Sequence, residues 1–160
     1  MPRWDEVLRA APELAAAVQE RFDAHRHKVL GTLRADGSPR LSGIEVTFRD
    51  GELWLGMMPD SRKAIDLRRD PRLALHSATV DPELLEGDAR ISGRAVEVTG
   101  AGAMTALVEG DVRHEDGAPA GHVFRVDLTE LMLIRIGDPA DHLLIESWHE
   151  GRGVERIERR

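Results

Sequence analysis

The sequence predicts a mainly β domain with some α: a bending, barrel-like sheet, an N-terminal helix and short peripheral helices. Three observations carry this expectation. Apolar residues recur every three to four positions up to Phe22 and every second position after His27. Asp36-Gly37 and Asp50-Gly51 are tight-turn pairs, and turns this short join antiparallel strands. In two segments the apolar phase slips at a Ser-Gly pair, Ser42-Gly43 and Ser92-Gly93. Such a slip is the mark of a β-bulge, which lets a sheet curve towards closure.

The elements follow in order. Residues 4–24 read as a helix with Trp4, Val7, Leu8, Ala11, Leu14, Ala15, Val18 and Phe22 on one face. Pro12 marks a kink or restart, since proline suits a first helical turn. Asp5, Glu6, Glu13, Glu20 and Asp23 oppose a membrane-surface role, so the helix is expected to pack on the core. Strands are predicted over 28–34, 39–48 and 52–57. In the second of these, Leu41 is apolar at an odd position while Ile44, Val46 and Phe48 are even. Residues 62–69 form a short helix after Ser61, stopped by Asp70-Pro71, and 72–77 is a fourth strand. A loop covers 78–87. In the strand near 89–98, Ile91 is odd and Val96 and Val98 are even. Residues 101–109 read as a short helix and 110–121 as a loop, a candidate lid. Strands follow over 123–128, 131–136 and 142–148. The charged tail from Glu150 is expected to fray or dock on a partner. No repeat or linker is visible, so one domain is predicted: N-terminal helix 1–26, barrel 27–148, tail 149–160.

Composition limits the chemistry. The chain has 160 residues, enough for one core. With 3 Phe, 3 Trp and no Tyr, that core must be mostly Leu, Val, Ile and Ala. The absence of Cys excludes disulfides, Cys-ligated zinc, iron–sulfur clusters and thiol catalysis. The absence of Tyr excludes mechanisms that need a phenol. The 29 acidic residues outnumber 22 basic ones, for a net charge of −7, which disfavours a nucleic-acid partner. No apolar run approaches the roughly 20 residues of a bilayer span, so no membrane partner is expected. The N-terminus is acidic within six residues and lacks a signal-peptide apolar region, which predicts a soluble, cytoplasmic protein. Seven histidines are scattered. His25-x-His27 lacks an evident third ligand, so no metal is expected. His76 ends a strand and reads as an ordinary residue there. Nucleophile-elbow, Walker and dinucleotide glycine motifs are missing, and no side chain stands out as catalytic.

The strongest local signal is Met57-Met58-Pro59-Asp60-Ser61-Arg62-Lys63, where a strand ends and a helix begins. Ser61 is placed to cap the helix with its hydroxyl. The first-turn N–H groups and the positive end of the dipole attract an anion. Helices ordinarily prefer acids in this turn, yet Arg62 and Lys63 occupy it. Their unfavourable placement makes sense if they grip a phosphate, Arg through a planar fork and Lys as a point charge. A capped helix with two solvated cations is the plainer alternative.

The order of motifs from Arg40 to Leu75 resembles the pyridoxamine 5′-phosphate oxidase-like family, the FMN-binding split barrels. The resemblance lies in Arg40-Leu41-Ser42-Gly43-Ile44, the turn Asp50-Gly51, Leu55-Gly56-Met57, Ser61-Arg62-Lys63-Ala64 and Asp70-Pro71-Arg72-Leu73-Ala74-Leu75. Weaker likeness runs through Arg90–Val98 and to Trp148. The resemblance implies a Greek-key-like split β-barrel. It implies that Ser61, Arg62 and Lys63 hold the flavin phosphate, that Arg40–Ile44 runs beside the isoalloxazine, and that Met57 lines the flavin. It also implies that Trp148 reaches a cofactor from the second subunit of a homodimer; a core or interface tryptophan is the alternative.

Departures narrow the substrate. True pyridoxamine phosphate oxidases have a lysine for substrate phosphate where this chain has Glu45. They use a tyrosine and a C-terminal Ser-Arg-Pro stretch that are absent here, and a flavin-contacting glutamine where Asp88 stands. The resemblance therefore implies an FMN-dependent oxidoreductase, exchanging hydride with a small molecule other than vitamin B6, with the cofactor at a subunit interface. Coenzyme F420 in the same groove is the alternative, and a non-catalytic flavin- or haem-binding module is another. In each enzyme version the cofactor carries the electrons and the protein binds and orients.

Overall fold

The computed structural model describes residues 1–99 and 121–160. The helix expected over 101–109 and almost all of the loop expected over 110–121 lie outside the described residues. The expected N-terminal helix is two helices, α1 (Trp4–Ala10) and α2 (Pro12–Asp23). Pro12 has no N–H to continue the first helix. Ala11 therefore leaves helical geometry, at φ −141° and ψ 64°, and α2 restarts with Pro12 in its first turn. Trp4, Val7, Leu14, Val18 and Phe22 are buried as expected, whereas Leu8 is 36% exposed. Trp4 and Phe22 both pack on Phe48, with ring centroids at 4.5 and 6.4 Å, which ties the helices to the sheet.

Among the described residues, nine strands form one antiparallel sheet: β1 (Lys28–Leu33), β2 (Pro39–Ile44), β3 (Val46–Arg49), β4 (Glu52–Met57), β5 (Arg72–His76), β6 (Asp88–Val98), β7 (His122–Ile136), β8 (Leu143–His149) and β9 (Gly153–Arg159). The third helix, α3 (Arg62–Arg69), joins β4 to β5. The hydrogen-bonded path runs β2-β1-β5-β6-β7-β4-β3, with β8 on β7 and β9 on β8. This path is open, but its two ends are consecutive in the chain, separated by Glu45 alone. One intervening residue spans less than about 8 Å between Cα atoms. The sheet has therefore curved until its ends meet, which gives the split barrel. The strand expected over 39–48 is broken at Glu45, because its first half pairs with β1 and its second with β4.

The two predicted bulges resolve differently. No register shift occurs at Ser42-Gly43: β1 and β2 stay in step from Lys28↔Ile44 to Leu33↔Pro39. Leu41 is not part of the core phase; it faces outward and is 76% exposed. A real shift does occur at Ser92/Gly93, where Ser92 pairs with Glu130 and Gly93 with Leu128. The extra residue is Thr129, on β7. Accordingly β6 keeps Ala89, Ile91, Gly93 and Ala95 inward without a slip. The inward set of β7 changes from Phe124, Val126 and Leu128 to Leu131 and Leu133. Strands expected separately over 123–128 and 131–136 are thus one bulged strand.

The tail does not fray. β9 pairs with β8 along its length, from His149↔Gly153 to Leu143↔Arg159. Gly151 and Gly153, at φ 79° and 76°, make the turn possible. Val154 and Ile157 supply strand-forming residues, and alternating Glu and Arg leave the edge charged, which discourages edge-to-edge aggregation. No helix among the described residues is long and apolar enough to cross a membrane.

Candidate functional site

The turn from β4 into α3 builds the site. Ser61 N–H donates to the Met58 carbonyl at 3.2 Å, and Ile65 N–H to the Ser61 carbonyl at 3.1 Å. Asp60, between them, has φ 54°, a left-handed conformation uncommon outside glycine. Ser61 occupies the N-cap position with extended backbone, but its side chain makes no cap hydrogen bond. Its Oγ is instead buried without a partner among the described residues. The expectation of a hydroxyl cap is corrected: the oxygen is kept from the helix and from water alike. A buried orphan hydroxyl costs free energy unless a ligand meets it.

Two contacts fasten β2 to α3. Lys63 Nζ donates to the Gly43 carbonyl at 2.7 Å, and burial pushes its ammonium below the ordinary value of 10.5. Arg40 Nε donates to Asp66 Oδ2 at 2.7 Å. Asp66 is 3% exposed and also accepts from Thr32 Oγ1 at 2.8 Å and Arg69 Nη2 at 2.9 Å. Arg62 is exposed and makes no hydrogen bond or ion pair among the described residues. Ser42 Oγ, on the same inward side of β2 as Arg40, is a second buried oxygen without a partner among the described residues. The Ser61 hydroxyl, the tethered Lys63 and Arg62, which has no partner among the described residues, lie together at a helix N-terminus and fit an anionic group such as a phosphate.

The sequence-predicted residues divide by strand alternation. Arg40 is joined to α3 through Asp66, and the Gly43 carbonyl through Lys63; Ser61 and Arg62 open the same helix, and Ser42 shares the Arg40 side of β2. Leu41 lies on the opposite face of β2. Ile44 and Met57 are core residues, at 4% and 6% exposure. Trp148 is 5% exposed and packs in the core of its own chain. Glu45 is exposed and ion-paired with Arg26 at 2.6 Å. Asp88 is half-buried, and its Oδ1 lacks a partner.

Two networks escaped the sequence reading. Asp66 was legible only as the lone acid among the cations of α3. The other network centres on His122. Its Nε2 accepts the Asp60 N–H at 3.0 Å, and its Nδ1 faces Glu97 Oε1 at 3.0 Å. Arg68 Nε and Nη2 both donate to Glu97 at 2.7 Å. No sequence signal marks this network, since Asp60 and Glu97 lie 62 and 25 residues from His122. No metal-ligand cluster occurs among the described residues.

Residues 14–135 match the family model described as pyridoxamine 5′-phosphate oxidase. PhzG from Burkholderia lata, solved with tetrahydrophenazine-1-carboxylic acid, superposes with a TM-score of 0.66 at 12% identity, over 99% of this chain and 94% of that one. A pyridoxamine 5′-phosphate oxidase-related, FMN-binding protein from Nostoc punctiforme gives 0.60 at 11% identity, over 94% and 96%. A structure described as an F420 reductase gives 0.52 at 17% identity, over 66% and 87%. At these identities the likeness shows the fold alone. No curated protein sequence matches the chain.

Proposed function

The chain belongs to the pyridoxamine 5′-phosphate oxidase family, and from that premise we propose that it is an FMN-dependent oxidoreductase acting on a small organic molecule other than vitamin B6. One observation carries the proposal: Ser61, Arg62 and Lys63 sit at the start of α3 with the Ser61 oxygen buried and unpartnered. Arg62 and Lys63 would hold the flavin phosphate, Ser61 Oγ would complete the cradle, and the Gly43 backbone would border the ring. When bound, FMN supplies the hydride chemistry; the chain binds it, orients it and excludes water. Glu45 argues against a pyridoxamine phosphate substrate, because a carboxylate would repel the second phosphate. The F420 reductase that shares the fold favours coenzyme F420 as a second reading.

The cofactor is proposed to lie between two copies of the chain. The exposed outer face around Leu41 supports a second copy: Leu41 stands opposite Gly31, and Val29 opposite Gly43, so small residues leave room for another surface.

Absorbance of freshly purified protein tests the cofactor. A band near about 450 nm that bleaches with reductant supports FMN; colourless protein that takes up F420 and ignores FMN overturns it. Replacing Arg62 and Lys63 together with Ala should weaken FMN by about a hundredfold, on the order of 3 kcal/mol, and riboflavin far less. Equal losses for the two ligands would sink the phosphate assignment.

A further inference from the structure

The His122 network ends on the turn that presents the proposed phosphate cradle. An Nε2 that accepts the Asp60 N–H must be unprotonated, so the ring proton sits on Nδ1, facing the Glu97 carboxylate. The two-pronged contact from Arg68 fixes the plane of that carboxylate. The chain of contacts therefore grips both ends of α3: Arg68 lies in its last turn, and Asp60 lies just before its N-cap. The His122 side chain is 13% exposed, so water competes little for these bonds. Asp60 needs such a hold, because a left-handed non-glycine residue costs about 1 kcal/mol or more locally.

We propose that His122 is a positioning residue for the cofactor site: its imidazole locks Asp60 in the left-handed conformation that aims Ser61, Arg62 and Lys63 at the anion. His122 donates nothing to the cofactor itself. This inference rests on the phosphate reading given above and adds the element that holds the cradle in shape. Among the described residues, His122 is met by Glu97 from β6, the Asp60 N–H from the turn and the Phe124 ring from β7, and Arg68 from α3 holds Glu97 from its other side.

Two substitutions separate positioning from plain packing. His122→Gln carries an acceptor oxygen close to the place of Nε2. His122→Asn retains a donor for Glu97 but is too short to reach Asp60. Dissociation constants for FMN and riboflavin, read by flavin fluorescence, should show His122→Asn about tenfold weaker for FMN and within about twofold for riboflavin. His122→Gln should restore most of the FMN affinity. Unchanged FMN binding in the Asn variant overturns the proposal, as does an equal loss of both ligands or a Gln variant no better than Asn. If the Asn variant does not fold, Glu97→Met replaces it, expected to weaken FMN selectively by about threefold; an unchanged FMN-to-riboflavin ratio overturns the proposal. The wild-type protein separates the two levels. If it holds FMN no better than riboflavin, the phosphate reading fails and this inference with it. If it prefers FMN and His122→Asn keeps that full preference, only the role of His122 fails.

Discussion

Asp66 shows how one buried side chain ties β1 and β2 to α3 beside the proposed cradle. Burial alone would raise its carboxyl, but hydrogen bonds from Arg40, Thr32 and Arg69 outweigh this and hold it below 3.8. The folded state therefore binds the proton less readily than the unfolded chain. The stability Asp66 contributes is complete above about pH 4 and is lost as pH falls through its lowered folded value. Asp66→Ala should cost about 3 kcal/mol, because it strands the inward-facing Arg40 without a partner. Urea unfolding at a series of pH values checks both statements: Asp66→Asn should flatten the acid limb that the wild type shows. At this scale the contiguous Ser61-Arg62-Lys63 run was legible, because a helix start is a local event. The orientation of Leu41 was not. Its apolar character suggested an inward residue, yet strand alternation with Arg40 and Ser42 turns it out.

Among the elements, β6 and β7 carry the clearest test. Gly93 lies where β7 bulges, and a Cβ there would collide with the Asp127 carbonyl and crowd Val126 Cγ1 at 2.8 Å. Gly93→Ala should destabilise by about 2 kcal/mol or more, since the colliding atom is backbone and cannot step aside. A denaturation midpoint unchanged from wild type would contradict this. The sequence located the irregularity at Ser92-Gly93 but on the wrong strand, because a glycine marks where the partner comes close rather than which strand has the extra residue. The break at Glu45 was invisible for a related reason: nothing local says that one half of a strand will pair with β1 and the other with β4. The tail was misread through its charges, which belong to a solvated edge strand.

At the scale of the molecule, the curved sheet has two faces with different fates. The inner face holds Leu30, Leu53, Leu75, Ile91 and Leu128, all fully buried. The outer face around β1 and β2 exposes Val29 at 39% and Leu41 at 76% beside glycines. The proposed homodimer predicts a mass in solution about twice the 17.7 kDa of one chain, measured by light scattering or sedimentation. Leu41→Glu should yield a folded monomer, because little of that side chain packs within its own chain and a charge there is hard to bury. A wild-type protein that sediments as a monomer removes the two-copy site, while an unchanged dimer in the variant moves the interface elsewhere.

The sequence by itself determined the class of the fold, the change from helix to strands after His27 and the contiguous run Ser61-Arg62-Lys63 at a helix start. Each is written in short-range patterns: a period of two or of three to four, a turn pair, a run of three residues at a helix start. Tertiary structure alone decided which apolar residues are core, which strand bulges, where the chain breaks to bring the sheet round, and which side chains fasten the cradle. Those outcomes depend on partners far apart in the chain, such as His122 on Asp60, 62 residues away. Such pairings are selected by the packing of the whole sheet, so no window of sequence contains the information.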